Sequence, residues 1–243
     1  MSNPKAPAFF CKDEIFSRGW PLYESMFADA VGRIVIGEAS TSYTKQMLFP
    51  RTAERIAAYP PDARLVYIER QPLARILSHW LHLSAEVREM PPLSVALERW
   101  PHIIDTSLYW TQISAYRRYY PDDGILVLFF EDLVERPAEL FRCCYLFLGV
   151  DPELGESGQF RASHVSARKR LEGPLIRGLQ RLPLALRLKA IVPDLARAIM
   201  PMFPRSLPSR PEWPPGLRRE VSTRLEADTR EFLEFWPGLW RIE

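Results

Sequence analysis

At 243 residues, 47% hydrophobic and 26% charged, the chain is long enough to bury one sizeable core and fits one domain better than two. Cys11 and the adjacent Cys143 and Cys144 form neither a disulfide framework nor a CxxC zinc pattern. No apolar run reaches the roughly 18 residues of a membrane span and MSNPKAP lacks a signal core, so a cytoplasmic protein is expected. The net charge of +2 conceals a basic stretch, residues 161–205, with ten Lys/Arg against two acids, which points to an anionic ligand or surface or to a solvated helix face.

In chain order, Phe9, Phe10, Phe16, Trp20, Tyr23 and Phe27 read as a packed lid or core edge rather than a base-stacking platform. Residues 33–37, RIVIG, read as a short buried strand with Glu38, Ser40, Ser42 and Tyr43 at its carboxyl end, and Pro50 opens a helix to about residue 58. Residues 64–78, RLVYIERQPLARILS, are the centre of the chain. A short apolar run ends in a charged pair and a proline, then passes into a helix with Leu73, Ile76 and Leu77 on one face and Arg70, Arg75 and Ser78 near its start. A strand feeding a helix amino end is an anion site, because free N–H groups and the helix dipole point at the ligand, and arginine and serine add donors suited to phosphate. The same residues would also suit a solvated Arg-rich turn.

The pattern carries this helix on through SHWLHLSAEVRE. His79 and His82 lie three apart with Glu86 four further on, but there is no HExxH arrangement or fourth ligand, so cleft or surface histidines are expected and no metal. A short helix spans about residues 93–100. Residues 105–120 read as a helix capped by Asp105 or Thr106, with Leu108, Ile113 and Tyr116 or Tyr119 inward. Residues 125–130, ILVLFF, read as a strand of a sheet covered on both faces, and a further helix runs from Pro137 to a Gly149 cap. Residues 159–173 read as a basic loop. Residues 174–215 carry nine prolines around amphipathic fragments, a flap or a membrane-surface helix pair, and a last helix covers 217–236.

Three pieces in order resemble the sulfotransferases that use 3′-phosphoadenosine 5′-phosphosulfate (PAPS), in particular the bacterial and heparan-type branch. They are R-x-P-x-x-R-x-x-S at Arg70, Pro72, Arg75 and Ser78; Ser107-Leu-Tyr109; and a strand ending in Glu131-Asp132-Leu133 before Pro137 and FLGV. KAPAFF, GWPLYESMF and GEASTSY extend the likeness over about residues 5–170. The resemblance implies an α/β, P-loop-like three-layer sandwich with a mainly parallel sheet and a helical C-terminal region. It implies one domain over residues 1–243: a core over 5–170, a basic flap over 171–215 and the last helix. Arg70 and Ser78 would grip the nucleotide 3′-phosphate, Ser107 and Tyr109 would belong to the nucleotide site, and the loop with Arg168, Lys169 and Arg170 would close over it. The reaction implied is in-line sulfuryl transfer to a hydroxyl or amine of a small-molecule, lipid or carbohydrate acceptor, without a metal. Residues 174–205 would supply any peripheral membrane contact, and no nucleic acid partner is expected.

The sequence departs from the family in two places. The K-x-G-T-like turn that binds the 5′-phosphosulfate has no counterpart; its lysine is expected upstream of Met1, and a central strand is expected to be missing with it, leaving backbone groups unpaired and apolar area uncovered. Ala6 stands where relatives place the glutamate base of E-x-x-F-F, and Ala39 where some place the lysine of E-K-S, which leaves Glu38, His79 and His82 as candidate bases. Two other readings stay open: a non-catalytic nucleotide-binding relative, and a binder of membrane surface or nucleic acid through residues 161–205.

Overall fold

The computed structural model describes residues 1–59, 62–85, 87, 89–155 and 211–237. Two strands, β1 (Leu65–Glu69) and β2 (Ile125–Phe129), run parallel and in register, from Leu65 opposite Ile125 to Glu69 opposite Phe129. Parallel neighbours need a crossover, and four helices supply it: α4 (Pro72–Leu83), α5 (Leu93–Arg99), α6 (His102–Asp105) and α7 (Tyr109–Arg117). Ahead of β1 lie α1 (Asp13–Phe16), α2 (Trp20–Ser25) and α3 (Thr52–Ala58). After β2 come α8 (Phe130–Glu135), α9 (Pro137–Leu148) and α10 (Pro215–Phe235). Among the described residues no helix is long and apolar enough to cross a membrane.

Two hydrophobic clusters hold these elements. One is aromatic: Phe9, Phe10, Tyr23, Tyr109, Tyr116, Phe129 and Phe232 are buried together, with Phe9 and Tyr23 ring centres 4.9 Å apart. The expected core-edge cluster of the first 30 residues is thus built into the core. The second is aliphatic, with Leu73, Ile76, Leu77 and Trp80 of α4 against Leu97, Ile103 and Ile104. Helix α10 serves both, because Val221, Leu225 and Phe232 fall on one helical face; the first two enter the aliphatic cluster and Phe232 the aromatic one.

Several boundaries differ from the sequence reading. Residues 33–37 form no strand: Ile34 is 88% exposed and Ile36 51%, and among the described residues β1 pairs only with β2. A strand's composition is not enough: the run's N–H and C=O groups take no part in the β1–β2 ladder. On β1 itself Tyr67 and Glu69 point inward, while Val66 and Ile68 on the other face stand 41% and 50% exposed, so that face is not covered as the pattern implied. Helix α4 stops at Leu83, where the Ser84 hydroxyl donates to the Leu81 carbonyl and the Trp80 indole N–H donates to the carbonyl of Pro91, turning the chain back. Helix α7 begins at Tyr109 and takes its cap from α10: the Asp228 carboxylate accepts from the Trp110 and Thr111 N–H groups at 2.9 and 2.8 Å. Asp105 instead ion-pairs with Arg224 at 2.5 Å, and the Thr106 hydroxyl donates to the His102 carbonyl.

Candidate functional site

The carboxyl end of β1 and the amino end of α4 form the expected corner. The Gln71 side chain caps the helix by accepting from the Ala74 N–H at 2.7 Å, and Pro72 occupies the first turn, where no N–H is needed. The Gln71 N–H donates to Glu131 at 3.1 Å, which ties the corner to the end of β2. The Arg70 guanidinium stands over the Phe130 ring at 4.9 Å, and the Arg70 carbonyl accepts from the Tyr109 hydroxyl at 2.6 Å. Half-buried Ser78 shares the helical face of Gln71 and Ala74. Beside that face a cleft of about 530 Å³ opens between Gln71, Ala74 and Leu77 of the corner and Trp213 and Arg218 of the C-terminal region.

Behind the corner lies a buried polar network. Arg75 donates from Nε to the Ser107 hydroxyl at 2.6 Å and from a terminal nitrogen to the Ile103 carbonyl. Its other neighbour is His79, whose Nδ1 lies 3.4 Å from the guanidinium and therefore accepts, which leaves the proton on Nε2. The His79 and His102 rings meet edge to face at 5.6 Å. Burial, reinforced by the charges of Arg75 and Lys45, holds His79 down to about 3, and burial likewise depresses His102. Glu69, 3% exposed, is pushed well above the usual carboxyl range by burial, against the opposing pull of the Tyr67 hydroxyl and the Arg75 charge.

A third group surrounds Glu38. Its carboxyl accepts from the Tyr43 hydroxyl at 2.6 Å, from Ser40 at 3.4 Å and from Tyr23, yet burial outweighs these bonds and raises its pKa. The Ser40 oxygen in turn accepts from the Ala8 N–H at 2.9 Å. Ala6 and Ala8 both have left-handed backbones, with φ of 54° and 55°, which costs on the order of 1–2 kcal/mol each for residues with a Cβ. The loop that carries Glu38 and Lys45 is pinned to α7, since the Gln46 N–H donates to Gln112 at 2.8 Å and the Tyr116 hydroxyl to the Tyr43 carbonyl at 2.6 Å.

The sulfotransferase-family model matches residues 3–153, the span holding all three groups. The chain belongs to the sulfotransferase family. A relative among characterised proteins, heparan sulfate glucosamine 3-O-sulfotransferase 6 of Homo sapiens, is 27% identical over 152 residues, covering 59% of this chain and 43% of the relative. The chain thus spans less than half the length of that protein. A sulfotransferase of known structure, from Alicyclobacillus acidocaldarius, superposes with a TM-score of 0.64 over 96% of this chain and 83% of its own, at 20% identity, and shows the shared α/β fold.

In this sulfotransferase-family chain the residues read from the sequence divide among three places. Arg70 and Ser78 sit at the open corner. Ser107, 0% exposed, and Tyr109, 1% exposed, lie beneath it, where they hold Arg75 and the Arg70 backbone instead of facing the cleft. His82 is on the exposed side of α4. Arg168, Lys169 and most of the basic flap, including 174–205, lie outside the described residues, as does Glu86. Among the described residues no three His, Cys, Asp or Glu side chains are grouped to hold a metal. Sequence reasoning passed over Lys45, His102, Trp213 and Arg218. Lys45 and His102 carry no motif, and Trp213 and Arg218 fall beyond both the recognisable span and the family match.

Proposed function

We propose that the chain transfers a sulfuryl group from PAPS to a hydroxyl or amine acceptor, binding the nucleotide at the β1–α4 corner. The observation that carries this is the corner itself: Arg70 follows β1, the Gln71 side chain caps α4, and Gln71, Leu73, Ala74 and Leu77 line a cleft of about 530 Å³, inside the range of nucleotide-sized pockets, within a chain of this family. The donor supplies the activated sulfuryl group. Arg70 and Ser78 hold its 3′-phosphate, and the dipole at the amino end of α4 favours the negative charge.

Glu38 is the base in this proposal. Burial makes its carboxylate a stronger proton acceptor than an ordinary glutamate, and its Ser40 partner is bonded to the backbone two residues from Ala6, the place of the family's glutamate. His79 is excluded from that role by chemistry, because a group titrating near 3 with its bare nitrogen facing Arg75 is a poor acceptor. In the transfer the acceptor oxygen bonds to sulfur, the bond from sulfur to the 5′-phosphate oxygen breaks, the acceptor proton passes to Glu38, and 3′-phosphoadenosine 5′-phosphate (PAP) leaves.

Ala6 stands where relatives place their glutamate base and can accept no proton, which supports a second reading in which the nucleotide binds without transfer. PAP is expected to raise the melting temperature of the wild type and to leave Arg70→Ala unchanged; no shift in the wild type would count against nucleotide binding altogether. With radiolabelled PAPS and hydroxyl acceptors, Glu38→Gln is expected to lose at least 100-fold in turnover while keeping the PAP shift. A PAP shift with no turnover in the wild type would favour the second reading.

A further inference from the structure

Two surfaces of the chain have a strand's chemistry and no strand beside them. On β1, Val66 and Ile68 project exposed from one face, and among the described residues the edge of β1 away from β2 has no neighbouring strand. In residues 33–37, Ile34 and Ile36 are exposed, and among the described residues the backbone of 34–36 bonds to no other segment. We infer that each surface is the other's partner in a second copy: residues 33–37 of one chain add as a strand to the free edge of β1 in the next, so that the chain self-associates. The inference stands apart from the chemistry proposed at the β1–α4 corner.

Three features carry the inference. The first is period: alternate residues of an extended segment share a face, so Ile34 and Ile36 match the spacing of Val66 and Ile68, and laying one run beside the other covers all four. The second is an unprotected edge. Edge strands that stay apart carry lysine, proline or an outward charge, whereas LVYIE has neither Lys nor Pro, its one charge at Glu69 is buried, and the flanking Arg64 is turned to the Phe147 carbonyl and ring. The third decides for a second copy over the same one. The run is tied at both ends in its own chain, by the Arg33 N–H on the Ala30 carbonyl at 3.1 Å and the Ser2 N–H on the Gly37 carbonyl at 3.1 Å, and in that position it pairs with neither β1 nor β2. A second copy can bring the same run to β1 through the main-chain hydrogen bonds of strand addition. Every copy carries both surfaces, so a two-fold arrangement uses both junctions and stops at a dimer.

The test is sedimentation velocity of the full chain from about 1 to about 100 μM. A dimer is expected, with a dissociation constant on the order of 10 μM, because two short junctions make a small interface. Ile36→Lys and Ile68→Glu are each expected to weaken it at least about tenfold with unchanged far-ultraviolet circular dichroism, since both side chains are exposed in the single chain. An equimolar mixture of these two variants is expected to recover the dimer, because one junction is then native and the other sets the introduced lysine against the introduced glutamate. Leu146→Lys on α9, comparably exposed but outside both surfaces, is expected to leave the dimer unchanged. A wild type that stays monomeric throughout would overturn the inference. So would a dimer that either Ile36→Lys or Ile68→Glu leaves intact, a mixture no tighter than its components, or an equal loss in Leu146→Lys.

Discussion

Replacing Asp228 by alanine tests whether the last helix builds the start of α7. Its carboxylate accepts from the Trp110 N–H, the Thr111 N–H and the Thr111 hydroxyl at 2.9, 2.8 and 2.7 Å, and the residue preceding α7, Leu108, offers no side-chain cap. Loss of a helix cap costs about 1 kcal/mol, and loss of a bond to a charged acceptor a further 1–2 kcal/mol. Thr111 is exposed, so water replaces its lost partner, whereas Trp110 is half-buried and its N–H is left poorly served. Burial raises the Asp228 carboxyl, a cost that alanine removes, so the net loss expected is about 2 kcal/mol. For a chain of this size that lowers Tm by roughly 4–8 °C. Asp228→Asn keeps one acceptor oxygen and is expected to lose about half as much. Thermal unfolding followed by circular dichroism gives the loss, and amide hydrogen exchange at Trp110 and Thr111 locates it. Thr106→Ala is the control, because its hydroxyl serves α6 and its loss is expected to cost about 0.5 kcal/mol. Unchanged exchange at both amides in Asp228→Ala, or an equal Tm drop in Thr106→Ala, would refute the reasoning.

Two further predictions concern buried charge. Arg55, 5% exposed, donates to the Phe10 carbonyl at 3.2 Å, ion-pairs with Asp13 and lies 4.4 Å over the Phe16 ring. Arg55→Ala is expected to cost about 3 kcal/mol in urea unfolding, while Asp13→Ala, on the exposed side of the pair, costs clearly less; similar losses for the two would contradict this. His79 has a folded pKa near 3 against an ordinary 6.5, so its contribution to stability is present above 6.5 and is lost as pH falls, when the unfolded chain takes a proton that the folded chain refuses. Over the two units below 6.5 that slope amounts to about 2–3 kcal/mol. His79→Gln, which keeps an acceptor for Arg75, is expected to flatten the acid limb of the stability curve, and equal acid limbs would count against it.

What the sequence made legible was local. The β1–α4 corner needs only an apolar run, a proline and a helical period. The turn at Gly149, with φ of 71°, needs only the residue that adopts that backbone cheaply. What it hid depended on partners distant in the chain. Residues 33–37 have a strand's composition yet, among the described residues, pair with neither β1 nor β2. The cap of α7 is supplied from 118 positions away, where no spacing rule reaches. Ser107 and Tyr109 were legible as a motif but not as a support, since only the fold shows that Arg75 and the Arg70 carbonyl occupy them. Lys45 comes near His79 only because Gln112 and Tyr116 fasten its loop.

The last helix adds one consequence. Phe232 is seated in one cluster, Val221 and Leu225 in the other, and Arg224 and Asp228 are latched to α6 and α7. Its contacts with the body of the chain are thus extensive in their own right. A chain nicked between residues 155 and 211 would keep both pieces together in native buffer and come apart only in denaturant, so native size alone would not distinguish clipped from intact protein.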